Sequence, residues 1–177
     1  RGSGSVVGDG KVVGVAVATT DWCAYFPFDH LGGGNLDKGR VLSWFKDVLK
    51  TPATKIFHNA MYDVCWIRAM GLQINGEIVD TMIAASLIDE NRYTYNLNAI
   101  AYEFLKERKS ETELNNAAKE WSLDPKAEMW KLPAMYVGKY AEKDAELTFK
   151  LWDRFKHEIR EQDLQNVFDL EKNVFPC

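Results

Sequence analysis

Lys55-Ile56-Phe57-His58-Asn59-Ala60-Met61-Tyr62-Asp63 decides the fold, because its pattern changes in mid-course. Residues 55–58 read as a short strand. A helix then begins near Asn59 and ends at Gly71, a residue suited to a left-handed helix end. Beyond it, Ile78-Val79 forms a brief strand and Asp80 opens another helix over residues 81–88. This alternation is expected of an α/β domain. Towards the amino end, the Val-rich run at residues 12–19 has the pattern of a strand buried on both faces. Residues 24–28 form a second strand, with Pro27 near an edge because proline cannot donate to a ladder. Residues 38–50 place Val41, Leu42, Phe45, Val48 and Leu49 at helical spacing, and Thr51-Pro52 stops that helix. Towards the carboxyl end the chain reads as helical, over residues 96–105, 111–121 and 137 to about 175. In the last helix Thr148, Leu151, Trp152, Phe155 and Ile159 share a face. Pro125 and Pro133 mark a kinked connection, and residues 1–11 are a Gly- and Ser-rich loop. With no internal repeat or linker, residues 1–177 are expected to be one domain.

Composition narrows the class. With 46% apolar, 27% charged and 12% aromatic residues, the chain is neither disordered nor collagen-like. It lacks an apolar run long enough to span a membrane, and residues 1–5 lack the apolar core of a secretory signal. Cys23, Cys65 and Cys177 are too few and too irregular for a disulfide framework or a zinc knuckle, which suits a reducing compartment. A formal net charge of −4 speaks against a broad basic surface for duplex DNA. An acidic protein still acts on nucleic acid where metal ions, rather than lysines, meet the phosphates.

Two clusters hold chemistry-bearing residues. Asn59 and Asp63 are four apart and share a helix face. They read either as a helix cap with a solvated first-turn carboxylate or as a paired polar site. Tyr140 and Asp144 have the same spacing. They read either as a buried ring beside an exposed carboxylate or as a pair holding a water. A divalent ion on Asp144 would acidify that water. His30, His58 and His157 are expected to be structural or on the surface. Lys106, Arg108 and Lys109 read as a solvated face, with a contact to a single-stranded backbone as the alternative. Trp121 and Trp130 either pack as hydrophobic mass or stack a base.

The order of the clusters resembles a known family. His58-Asn59-Ala60-Met61-Tyr62-Asp63, Val79-Asp80-Thr81-Met82, Asn96-Leu97-Asn98-Ala99-Ile100-Ala101 and Tyr140-Ala141-Glu142-Lys143-Asp144-Ala145 resemble, in order, segments of the proofreading 3′→5′ exonuclease domain of family A DNA polymerases. The likeness is to the bacteriophage type and to the tyrosine-bearing branch of the DEDD superfamily. It implies a ribonuclease H-like mixed sheet flanked by helices, with a mostly helical carboxyl-terminal half. It also implies removal of mispaired 3′-terminal nucleotides by two-metal-ion hydrolysis, with two Mg²⁺ or Mn²⁺ ions as cofactors. By the resemblance, Asp63 and Asp144 are metal ligands and Tyr140 orients the attacking water. Asn59 and Tyr62 contact the terminal nucleotide. The implied partners are a single-stranded DNA 3′ end and a polymerase domain downstream in the same chain, in the cytoplasm and away from membranes.

One departure stands out. The family's first motif, D-x-E on a first, central strand, does not precede Val12. The triplets at Asp144-Ala145-Glu146 and Asp169-Leu170-Glu171 sit in helices and do not reproduce a strand's period of two. The resemblance therefore leads to the expectation that an upstream segment carries that strand. It also leads to the expectation that these 177 residues alone bind metal weakly and do not hydrolyse DNA. The run from Leu170 to Pro176 resembles the entry into a polymerase domain. Two other readings remain: an RNA-trimming exonuclease of the ribonuclease D type, and a catalytically inactive module that binds single-stranded DNA or serves as a scaffold.

Overall fold

The computed structural model describes residues 6, 8 and 10–174. Most of the amino-terminal loop expected over residues 1–11, and Phe175, Pro176 and Cys177, lie outside the described residues. The chain is mixed α/β with a helical carboxyl-terminal half, and it divides into two compact units.

The first unit comprises Arg1–Val48 and Lys109–Glu146. Strands β1 (Gly14–Ala18) and β2 (Cys23–Pro27) form an antiparallel hairpin, from Gly14 opposite Pro27 to Ala18 opposite Cys23. Pro27 lies at the end of that ladder, where its missing N–H costs least. Every residue of β1 is half-buried, so the strand expected to be buried on both faces is covered less fully than its valines suggest. A Cβ at Gly14 would run into the Tyr25 ring, which explains a glycine in a strand. Helix α1 (Lys38–Lys50) is capped by Asp37, whose Oδ1 accepts from Arg40 N at 2.7 Å, and it sets Trp44 against Phe26 at 4.3 Å between ring centroids. Helix α5 (Thr112–Glu120), a single 3-10 turn at Met129–Lys131 and the first part of α6 (Ala134–Glu161) complete the unit. Its core joins Leu114, Ala117, Ala118, Met129, Leu132, Val137 and Tyr140.

The second unit comprises Leu49–Arg108 and Leu147–Cys177. Strands β3 (Lys55–Phe57) and β4 (Ile78–Asp80) pair in parallel, with Phe57 level with Asp80. Each strand leads into a helix: α2 (Ala60–Ala69) follows β3, and α3 (Thr81–Ile88) follows β4. Helix α2 ends near Gly71, whose φ of 75° is the left-handed conformation expected of it. Helix α4 (Leu97–Leu105) is capped by Asn96, whose Oδ1 accepts from Ala99 N at 2.9 Å. The core gathers Val79, Ala84, Ala85, Ile100 and Ala101 with Leu147, Leu151, Phe155 and Ile159 of α6 and Phe168 of α7 (Gln165–Val174).

The long last helix expected from residue 137 onward is two helices. Asp163 adopts a φ of 55°, and Leu164 N turns back to the carbonyl of Ile159 at 2.8 Å, which ends α6. The break lets Phe168 of α7 stack on Trp152 of α6, with centroids 5.5 Å apart. Among the described residues, hydrogen bonding pairs β1 with β2 and β3 with β4 as two separate two-stranded ladders.

Candidate active site

In the second unit, the carboxyl ends of β3 and β4 lie side by side, the place where α/β sheets present their functional groups. Asp80, the last residue of β4 and 4% exposed, organises this end. Its Oδ1 accepts from Asn59 N at 2.9 Å and Met82 N at 2.8 Å, and its Oδ2 accepts from Ala60 N at 2.7 Å. One carboxylate therefore satisfies the first N–H groups of both α2 and α3, where the helix dipoles favour negative charge.

That arrangement changes the part played by Asn59. The residue stands at the cap position of α2, but in the left-handed conformation (φ 60°, ψ 63°), and its side chain makes no cap bond. Asparagine tolerates this backbone better than most residues. Because Asp80 does the capping, the Asn59 amide is released from it. Asp63 lies in the first turn of α2, half-buried, and Tyr62 meets Trp66 edge-on at 6.4 Å. His58 is buried and structural. Its Nδ1 pairs with the Thr81 hydroxyl at 2.9 Å and its Nε2 with the Tyr95 carbonyl at 3.0 Å.

In the first unit, α6 is fixed by the residues that alternate with the candidate pair. Glu142 Oε1 accepts from Tyr25 N at 3.0 Å, so a side chain satisfies an edge N–H of β2. The Cys23 thiol donates to the Glu142 carbonyl at 3.1 Å; burial and the nearby Glu142 carboxylate push that thiol up from its ordinary range. Glu142 lies about 200° around the helix from both Tyr140 and Asp144, so anchoring it to β2 turns the pair the other way.

Tyr140 is 7% exposed and its ring belongs to the core beside α5. Its hydroxyl accepts from Lys109 Nζ at 3.1 Å and retains its own hydrogen to donate. The same ammonium lies 3.0 Å from Asp144 Oδ1, 3.3 Å from Oδ2 and 3.7 Å from Glu111 Oε1. Burial opposes charge on Lys109, but Asp144 and Tyr140 outweigh it and hold the ammonium above the ordinary lysine range. Burial, reinforced by the Asp144 charge and opposed by Lys109, pushes the Tyr140 phenol up, so it is neutral near pH 7.

Lys109 thus joins Tyr140 and Asp144 in one hydrogen-bonded group, whereas Asn59, Tyr62 and Asp63 lie around the start of α2 in the other unit. Two roles escape the sequence reading. Asp80 reads as a helix opener and as part of a resembling segment, but not as the cap of α2, because its bonds to Asn59 and Ala60 span about 20 residues. Lys109 reads as part of a solvated basic run, yet its side chain is only 11% exposed. The available signal was the tyrosine–carboxylate pair itself, which calls for a cation. His30 is also buried, accepting from the Tyr25 hydroxyl at 2.6 Å and donating to the Leu132 carbonyl at 3.1 Å, while His157 is exposed.

Hard carboxylate oxygens fit Mg²⁺ or Mn²⁺ in kind. Among the described residues, no three His, Cys, Asp or Glu side chains gather as a metal centre. Asp144 already contacts a cation, the Lys109 ammonium.

Comparison with known proteins agrees with the family resemblance. The chain is 36% identical over 169 residues to a DNA-directed DNA polymerase of Pseudomonas phage M6, covering 93% of this chain and 26% of that protein. It is 32% identical over 138 residues to DNA polymerase DpoZ of Acinetobacter phage SH-Ab 15497, covering 75% and 22% respectively. Over 158 residues it is 22% identical to DNA polymerase I of Borreliella burgdorferi, covering 89% and 16%. The chain thus spans about a quarter or less of the length of these relatives. A family model described as 3′-5′ exonuclease matches residues 4–160, and with the matched polymerases this places the chain in the 3′-5′ exonuclease domain family of family A DNA polymerases.

Proposed function

We propose that the chain acts as one proofreading exonuclease domain of a bacteriophage-type DNA polymerase. It hydrolyses the last phosphodiester of a single-stranded DNA 3′ end and releases a nucleoside 5′-monophosphate, while a polymerase domain lies downstream in the same protein. The observation that carries this reading is the phenol of Tyr140 beside a carboxylate, Asp144, that already holds a cation.

Divalent ions held by Asp63 and Asp144 would supply an acidified water and neutralise charge on the leaving 3′ oxygen. The remaining work belongs to the chain's own groups. Tyr140, neutral and fixed by its buried ring, directs its hydroxyl to the attacking water. The amide of Asn59, relieved of capping by Asp80, hydrogen-bonds the terminal nucleotide. Tyr62, half-buried on α2, packs its ring against sugar or base. The relatives carry the names of DNA polymerases, which supports DNA over RNA as substrate.

The test is trimming of a 5′-labelled single-stranded oligonucleotide by the full-length protein that contains this segment. Asp144→Ala is expected to lower the rate at least about 10³-fold with an unchanged circular dichroism spectrum. Unchanged trimming by that variant would leave the domain a scaffold or a binding module.

A further inference from the structure

Lys109 has an unusual environment for a lysine in a charged, irregular segment. Surface ion pairs engage one face of an ammonium and leave the rest in water, and they contribute little. Here the ammonium spans both oxygens of Asp144, at 3.0 and 3.3 Å, reaches the Tyr140 hydroxyl at 3.1 Å and has Glu111 at 3.7 Å. It also lies 4.3 Å from the centroid of the Tyr140 ring. The two oxygens of the Asp144 carboxylate, with a second carboxylate close by, are hard donors of the kind that a divalent cation takes. The lysine is carried by a stretch without regular structure between α4 and α5, so its withdrawal disrupts no helix or strand.

We propose that Lys109 is a built-in counter-ion that occupies the cation position on Asp144 and is displaced when a divalent ion binds there. In the resting protein it neutralises the carboxylate and holds the Tyr140 hydroxyl beside it. A divalent ion has to displace the ammonium, so Lys109 raises the ion concentration at which the site fills. Lys109 is a positioning residue, acting through Asp144 and Tyr140. The proposal rests on the reading of Asp144 as a metal ligand.

Calorimetric titration with Mn²⁺ of the full-length protein that contains this segment tests it, because removing a structural lysine weakens a site whereas removing a competitor strengthens it. Lys109→Gln and Lys109→Met are each expected to bind Mn²⁺ roughly 5–30-fold more tightly than the wild type, as loss of a close competing charge implies. Lys109→Arg, which keeps the charge, is expected to stay near the wild-type affinity. Adding Asp144→Asn to Lys109→Gln should abolish the gain. Unchanged or weaker binding by folded Lys109→Gln and Lys109→Met, with Asp144→Asn still removing binding, would overturn the counter-ion role alone. A gain that survives Asp144→Asn would also overturn it. Wild-type binding by Asp144→Asn itself would remove the metal reading and the counter-ion proposal together.

Discussion

Asn59 separates two demands that a single residue usually has to meet. Its backbone takes a left-handed turn at the head of α2, and its side chain makes no cap bond there. Glycine adopts that backbone freely. Asn59→Gly should therefore fold with little change in melting temperature, while KM for single-stranded DNA in the full-length protein rises about 3–10-fold, the worth of one hydrogen bond. His30 supplies a second prediction at this scale. Burial is the main cause that holds its imidazole below the ordinary range near 6.5, although its carbonyl partners oppose the shift. The unfolded chain therefore binds the proton first as pH falls. The stability contributed by neutral His30 is fully present above about pH 6.5 and is lost as pH falls from there through the depressed folded value. Urea unfolding between pH 7.5 and 5 should show this loss, with a slope of up to about 1.4 kcal/mol per pH unit. His30→Gln should remove that part of the slope, although it also lowers stability at pH 7.5 by breaking the Tyr25 and Leu132 hydrogen bonds.

Among the elements, the joint capping of α2 and α3 by Asp80 organises the end of the β3–β4 pair. The carboxylate accepts three backbone N–H groups and is almost fully buried. Asp80→Ala leaves those donors without their acceptor and should cost about 2–4 kcal/mol in chemical unfolding. Asp80→Asn retains an acceptor oxygen and should cost less. Most elements were legible because their signals are local. Residues 38–50 show helical spacing, Thr51-Pro52 stops the helix and Asn96 caps α4. The break between α6 and α7 was not, because Gln162-Asp163-Leu164 contains neither glycine nor proline. What turns the chain there is the left-handed Asp163 and the packing of Phe168 on Trp152, a contact visible only in three dimensions.

For the molecule as a whole, the sequence carried the class of fold and the family through motif order, although each motif taken singly also has an ordinary structural reading. The Tyr140–Asp144 pair was legible because both residues lie on one helix face, one turn apart. Its cation was not legible, because Lys109 lies 31 and 35 residues away and reads locally as part of a solvated run. Among the described residues each unit has its own core, and the resemblance gives the proposed chemistry an aspartate from each unit. The most direct measurement is therefore a double-mutant cycle on 3′-end trimming by the full-length protein, with Asp63→Ala, Asp144→Ala and both together. Residues that act as one catalytic unit are grossly non-additive. Each single variant should lose nearly all activity, and the double variant should be no slower than the worse single. Near-normal trimming by either single variant, or rate losses that multiply as for independent sites, would contradict the account.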